Sequence, residues 1–159
     1  MPKSRSKAPQ AIEMLKEDHQ KVERAFKEFE KMNREDTEAC KQLILGVCED
    51  LEVHTSLEEE VFYPAVREAI EDDDIMNEAA VEHETAKMLI EQLENMDADD
   101  PNYFATFTVL GEYVRHHIKE EEGEMFPEAK KADLAMDELA DRMRARKEEL
   151  LGELQKEHA

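Results

Sequence analysis

His54-Thr-Ser-Leu-Glu58-Glu59-Glu60-Val61-Phe62-Tyr63-Pro64 returns further along the chain as His117-Ile-Lys-Glu-Glu121-Glu122-Gly123-Glu124-Met125-Phe126-Pro127. Aligned without a gap, His54 falls on His117, Glu58 on Glu121, Glu59 on Glu122 and Pro64 on Pro127, an offset of 63 residues. Each copy has a histidine upstream, His19 before the first and His83 before the second, 64 residues apart. The chain therefore reads as two similar halves, each supplying a histidine and then His-x-x-x-Glu.

Working outward, the repeat sits in a sequence built for helices. Only four of 159 residues are Gly and 40% are charged. Ala, Leu, Glu, Lys and Met dominate, a composition that favours an all-α protein. Five helical segments are predicted, over about residues 9–32, 37–69, 75–95, 102–130 and 133–155. The acidic run 71–74 closes the second, and Asp99-Asp100-Pro101 opens the fourth. Short connections between long helices make neighbours antiparallel, so the first four form an up-down-up-down four-helix bundle. Residues 1–10 read as a disordered tail, 11–130 as the bundle, and 131–159 as an additional C-terminal helix packing on the bundle or on a partner.

Helical periodicity places the repeated residues. The apolar stripes are Ile12-Leu15-His19-Val22-Phe26-Phe29, Val47-Leu51-His54-Glu58-Val61-Ala65, Met76-Ala79-His83-Ala86-Ile90-Leu93 and Phe107-Leu110-Val114-His117-Glu121-Met125. Steps of three or four keep each stripe on one face. All six repeated residues stand where a core leucine is expected. Unpaired carboxylates in a core cost several kcal/mol each. Two metal ions reverse that cost and use every imidazole lone pair.

The metal ligands expected are therefore His19, His54, Glu58, His83, His117 and Glu121. Imidazole with carboxylate and no thiolate suits iron or manganese, and zinc less specifically. With both carboxylates and an oxo or hydroxo group bridging two Fe ions, one octahedral position stays open on each. Dioxygen, nitric oxide or peroxide would bind there. Glu59, Glu60, Glu122 and Glu124 read as solvated. His116 lies off the stripe and reads as surface or as a support to a ligand, Glu84 as solvent-facing with a supporting contact as the alternative, and His158 as tail. Lys87, one turn past His83, either reaches a bound peroxide or extends to solvent. Met76, Met125, Met136 and Met143 read as core filler.

Charge and cysteines bound the partners. The net charge of −21 repels nucleic acid and anionic membrane surfaces. No apolar run reaches membrane-spanning length. Cys40 and Cys48 are eight residues apart on one predicted helix, about 12 Å, too far for a disulfide. Free thiols fit a cytoplasmic protein. A monomer or a homodimer is expected.

The set His19, His54-x-x-x-Glu58, His83 and His117-x-x-x-Glu121, with Pro64 and Pro127 closing the blocks, resembles the haemerythrin-like (HHE cation-binding) family over about residues 11–130. The resemblance implies a four-helix bundle around a carboxylate-bridged non-haem di-iron centre. It implies relatives that carry or sense dioxygen, handle nitric oxide, decompose peroxide or repair iron–sulfur clusters. Oxygen-carrying haemerythrins have a further histidine four residues after the helix-three ligand, and Lys87 holds that position here. The repair proteins carry a cysteine-bearing N-terminal domain not present in these 159 residues. The readings are a di-iron protein that binds dioxygen, nitric oxide or peroxide in oxidative or nitrosative stress protection or sensing, a catalase- or peroxidase-like enzyme, or an iron-handling protein. The ferritin-like class uses Glu-x-x-His, which occurs nowhere in the chain.

Overall fold

In a computed structural model describing residues 10–157, every element is helical. Residues 1–9 of the predicted tail and His158 lie outside the described residues, and Gln10, counted with the tail, instead opens the first helix. The elements are α1 (Gln10–Lys31), α2 (Thr37–Leu57), a π-turn (Glu58–Phe62), α3 (Tyr63–Ala69), α4 (Asp73–Asn95), α5 (Tyr103–Glu120), a second π-turn (Glu121–Met125), α6 (Phe126–Lys131) and α7 (Met136–Glu157). The segments α2–α3 and α5–α6 each form one long helix with a π-turn in its middle. α1 packs on α2 and α5, and α4 packs on α5 and α2, which closes the bundle. α7 lies outside, along α1 and α2.

Two helix starts differ from those expected, for a local electrostatic reason. The acidic run does not end the second helix. Asp72 instead caps α4 by accepting the Ile75 amide at 3.2 Å, and Asp73 and Asp74 occupy the first turn. Carboxylates are stabilised at the positive end of a helix. Similarly, α7 begins at Met136 rather than 133, with Asp137 and Glu138 in its first turn.

The π-turns have the same cause in both halves. Pro64 and Pro127 stand two residues past the end of each turn. Proline has no N–H, and its ring clashes with the carbonyl four residues back. Each chain segment relieves this by an i→i+5 bond, with the Tyr63 amide donating to the Glu58 carbonyl and the Phe126 amide to the Glu121 carbonyl. The wider turn re-phases the next stretch of helix, so Tyr63 and Val66 are buried and Ala65 of the expected stripe is only half-buried.

The core is divided across its middle. One apolar half contains Ile12, Leu15, Leu57, Phe62, Met76 and Phe126, with Leu139, Ala140 and Met143 of α7 completing it. The other contains Val22, Phe26, Ile44, Leu51, Leu93 and Phe107. Met76, Met125 and Met143 fill core positions as expected, and Met136 packs at the edge. Between the halves lies a layer of buried polar side chains: His19, His54, Glu58, His83 and Glu121, with His117 slightly more exposed.

Candidate metal centre

Each long helix of the bundle delivers one histidine to this layer: α1 His19, α2 His54, α4 His83 and α5 His117. The first residues of the two π-turns deliver Glu58 and Glu121. All six residues expected from the sequence are thus brought together.

The two carboxylates span the four rings. Glu58 presents Oε2 to His54 Nε2 at 3.3 Å and Oε1 to His83 Nε2 at 3.0 Å. Glu121 presents Oε1 to His19 Nε2 at 3.0 Å and Oε2 to His117 Nε2 at 3.5 Å. Ligand atoms gather accordingly into one group of His19, His54, Glu58 and Glu121 and another of Glu58, His83 and His117, each compact enough to hold a metal ion.

The first group passes a direct test of fitness for a cation. His19 Nε2, His54 Nε2, Glu58 Oε2 and Glu121 Oε1 are all buried, and although they face one another in pairs at 3.0 and 3.3 Å, none makes a hydrogen bond of proper geometry. Buried polar atoms are normally satisfied, and an orphan costs about 1–3 kcal/mol. Four orphans converging on one point suit an electron-pair acceptor.

The outer nitrogens are held by carboxylates that sequence reasoning did not assign. The Nδ1–H groups donate to Glu122 from His19 (2.6 Å), to Asp18 from His54 (2.9 Å), to Glu59 from His83 (2.8 Å) and to Glu82 from His117 (2.6 Å). Glu59 and Glu122 are therefore not simply solvated. Each is only about one-third exposed because it reaches back to a ring. Such an anchor fixes ring orientation and leaves the Nε2 lone pair aimed inward. The signal for all four lay in the repeat. Asp18 and Glu82 precede His19 and His83, and Glu59 and Glu122 follow Glu58 and Glu121.

Tyr63 was also missed. Its buried hydroxyl lies 3.2 Å from Glu58 Oε1, 3.2 Å from His117 Nε2 and 3.3 Å from His83 Nε2, and it donates to Glu121 Oε2. Burial, with the Glu121 and Glu58 carboxylates, holds this hydroxyl well above the usual phenol range. Lys87 does not reach into the layer. Its ammonium donates to Glu59 at 2.7 Å and to Glu84 at 3.4 Å, supporting the His83 anchor from the surface. His116 is 62% exposed and faces Glu120 and Glu82 at 3.3 and 3.7 Å, so it touches the layer only through Glu82. Glu60 pairs with Arg146 of α7, and Glu124 is exposed.

Electrostatics follow from this packing. Burial disfavours charge on His54 and His117, yet the carboxylates around them outweigh it. His54 is pushed up to about 10 by Glu58 and Asp18, and His117 to about 11 by Glu121 and Glu82. Burial alone would raise Glu58, but His54 and His83 hold it well below the ordinary carboxylate range. Beside the layer is a small cavity with apolar walls from Val22, Leu51, Ala86, Val114 and Ile118. Cys40 and Cys48 are buried and free, and neither belongs to the site.

A helical bundle with a buried, paired His/Glu layer defines a metal-binding bundle of the haemerythrin type. The Hemerythrin HHE cation binding domain matches residues 10–129, and the chain belongs to that family. A solved haemerythrin HHE cation-binding domain-containing protein from Mycobacterium kansasii shares the fold, with TM-score 0.74 and 24% identity over 89% of this chain and 86% of that one. A DNA nickase of Nostoc sp. is 29% identical over 114 residues, 72% of this chain. The chain spans about a third of that relative's length, 32%. Among the described residues, no helix is long and apolar enough to cross a membrane.

Proposed function

We propose that His19, His54, Glu58, His83, His117 and Glu121 hold two iron ions, with Glu58 and Glu121 bridging them. The centre binds dioxygen, nitric oxide or peroxide, and serves protection against oxidative or nitrosative stress or its sensing, in the cytoplasm. The observation that carries this reading is the set of four orphaned donor atoms on His19, His54, Glu58 and Glu121. The second cluster shares Glu58 with the first, as a bridged pair requires. Imidazole and carboxylate donors without thiolate favour iron over softer ions.

Iron supplies redox-active positions for a small ligand, and the protein supplies the rest. The four Nδ1 anchors hold the rings in one tautomer and orientation. The apolar walls of the adjoining cavity admit a small neutral molecule and disfavour bulk water. In this reading residues 11–130 are the metal-binding unit, and α7 (Met136–Glu157) braces it. The nickase name belongs to a protein of which this chain spans only a part. Nucleic acid is left out of the proposal because the net charge of −21 would repel it.

The test is metal content per chain, by mass spectrometry, after expression in iron-replete cells and purification without chelators. About two irons per chain is the expected result. Zinc, a single metal, or none after iron reconstitution would overturn it. With iron in place, a stable coloured adduct with nitric oxide supports binding. Sustained oxygen release from peroxide would instead make the protein a catalase-like enzyme.

A further inference from the structure

The two halves of the repeat agree at every residue of the polar layer but differ on its outer flank. Asp18 and Glu82 are equivalent anchors, and Val53 and Leu57 of the first half stand where His116 and Glu120 stand in the second. In the first half, Val53 and Leu57 are buried in the apolar half that α7 completes. α7 also supplies a cation. Lys147 Nζ lies 3.4 Å from Asp18 Oδ1, while Asp18 Oδ2 accepts from His54. In the second half the outer face of α4 and α5 is open, with Val81 and His116 exposed. Glu82 Oε1 accepts from His117 Nδ1 at 2.6 Å, as Asp18 does from His54. Among the described residues, however, no lysine or arginine pairs with its other oxygen, Oε2. That oxygen faces His116 Nε2 at 3.7 Å, and Glu120 Oε2 lies 3.3 Å from the same nitrogen. His116 and Glu120 are one turn apart on α5, and Glu82 comes from α4. One ligand atom from each of the three lies within 4.8 Å of the other two.

We propose that Glu82, His116 and Glu120 form a solvent-facing site, separate from the buried layer, for one divalent transition-metal ion that stands where Lys147 stands in the first half. The proposal does not depend on which metal fills the layer. Two donors each about 2.1 Å from a tetrahedral ion stand about 3.4 Å apart, so the spacing of His116 from the two carboxylates is close to that of ligands around a metal. At 3.7 Å the Glu82 contact is too long for a hydrogen bond. Glu82 is held in place because His117 fixes one oxygen and leaves the other turned toward His116. Imidazole with two carboxylates suits zinc, manganese or ferrous iron, whereas calcium and magnesium prefer oxygen alone. Three protein ligands leave a fourth position, which water fills on this open face. The net charge of −21 draws cations to the surface, and the imidazole makes this cluster selective among its many acids.

The test uses the full, untagged chain loaded with iron, so that the buried layer is filled. A large excess of magnesium is present to occupy sites made of carboxylate alone. Zinc is added by equilibrium dialysis to the parent, to His116→Ala and to Glu120→Gln, and zinc and iron per chain are measured on each. Circular dichroism verifies the fold of the variants. The parent is expected to bind about one further zinc per chain, and each variant to bind it about tenfold or more weakly, with iron content unchanged. A parent that takes up no zinc beyond its iron overturns the proposal and leaves the di-iron reading standing. Zinc bound equally by all three proteins does the same, since its ligands would lie elsewhere, as does zinc that only replaces iron. An iron content below two per chain counts against the di-iron reading alone, and the difference in zinc between parent and variants still decides the surface site.

Discussion

An imidazole with both nitrogens accounted for has one orientation, and in this layer a carboxylate from another element holds the outer nitrogen of every ring. The inner residues were legible in the sequence because a histidine or glutamate on an apolar stripe violates the pattern around it. Their anchors were not, because Asp18, Glu59, Glu82 and Glu122 stand at positions where solvated acids are ordinary. Periodicity reports which face a residue occupies, not whether a long side chain turns back toward the core. The anchors are nevertheless separable by experiment. Asp18 accepts from His54 Nδ1 and is steadied on its other oxygen by Lys147 at 3.4 Å. Asp18→Ala is expected to weaken metal binding about 10- to 100-fold, the usual cost of losing such a partner. Glu124→Ala, at an exposed position that touches no ring, is expected to leave affinity unchanged. Chelator competition measures both, and equal affinities for the two variants would show that the anchor does not tune the site.

Among the elements, the long helices were legible from periodicity and the irregular turns inside two of them were not. A uniform 100° step carried the second stripe from Val61 to Ala65 and passed over Tyr63. The π-turn at Glu58–Phe62 restores Tyr63 to the inner face, so the hydroxyl that faces Glu58, His83, His117 and Glu121 became visible only with the backbone. The role of α7 was equally open, since an amphipathic helix fits a bundle or a partner alike. It packs on its own bundle. Leu139, Ala140 and Met143 are buried in the same apolar half as Ile12 and Leu15, and Arg146 and Lys147 reach Glu60 and Asp18. Burying Leu139 and Met143 contributes about 1.5–3 kcal/mol each, so a chain ending at Lys131 should lose about 3–6 kcal/mol of stability. Urea unfolding of the metal-free forms measures this. A loss under about 1 kcal/mol would mean that α7 merely rests on the surface.

Over the whole molecule, the two halves bring two buried carboxylates and four imidazoles into a chain whose net charge is −21. Without metal, that layer balances its charge with protons. His54 and His117 are raised to about 10 and about 11, against burial, by the carboxylates they face. The stabilisation they contribute is complete below the unfolded histidine value of about 6.5 and is lost as pH rises through those folded values. Glu58 is depressed, so its contribution is present above about 4.5 and is lost on strong acidification. The metal-free bundle is therefore most stable between these limits, and a cation entering it displaces protons rather than filling an uncharged space. Calorimetric loading of metal-free protein with ferrous iron under argon, in two buffers of different ionisation enthalpy, counts those protons. At least two per chain should be released at pH 7, from His54 and His117, and still at least two at pH 8.5, beyond any proton released by water that becomes a bridging hydroxide. Imidazoles near the ordinary value of about 6.5 would release almost none at pH 8.5. A binding enthalpy at pH 8.5 that is the same in both buffers would show that the layer is held uncharged and that its carboxylates are balanced some other way.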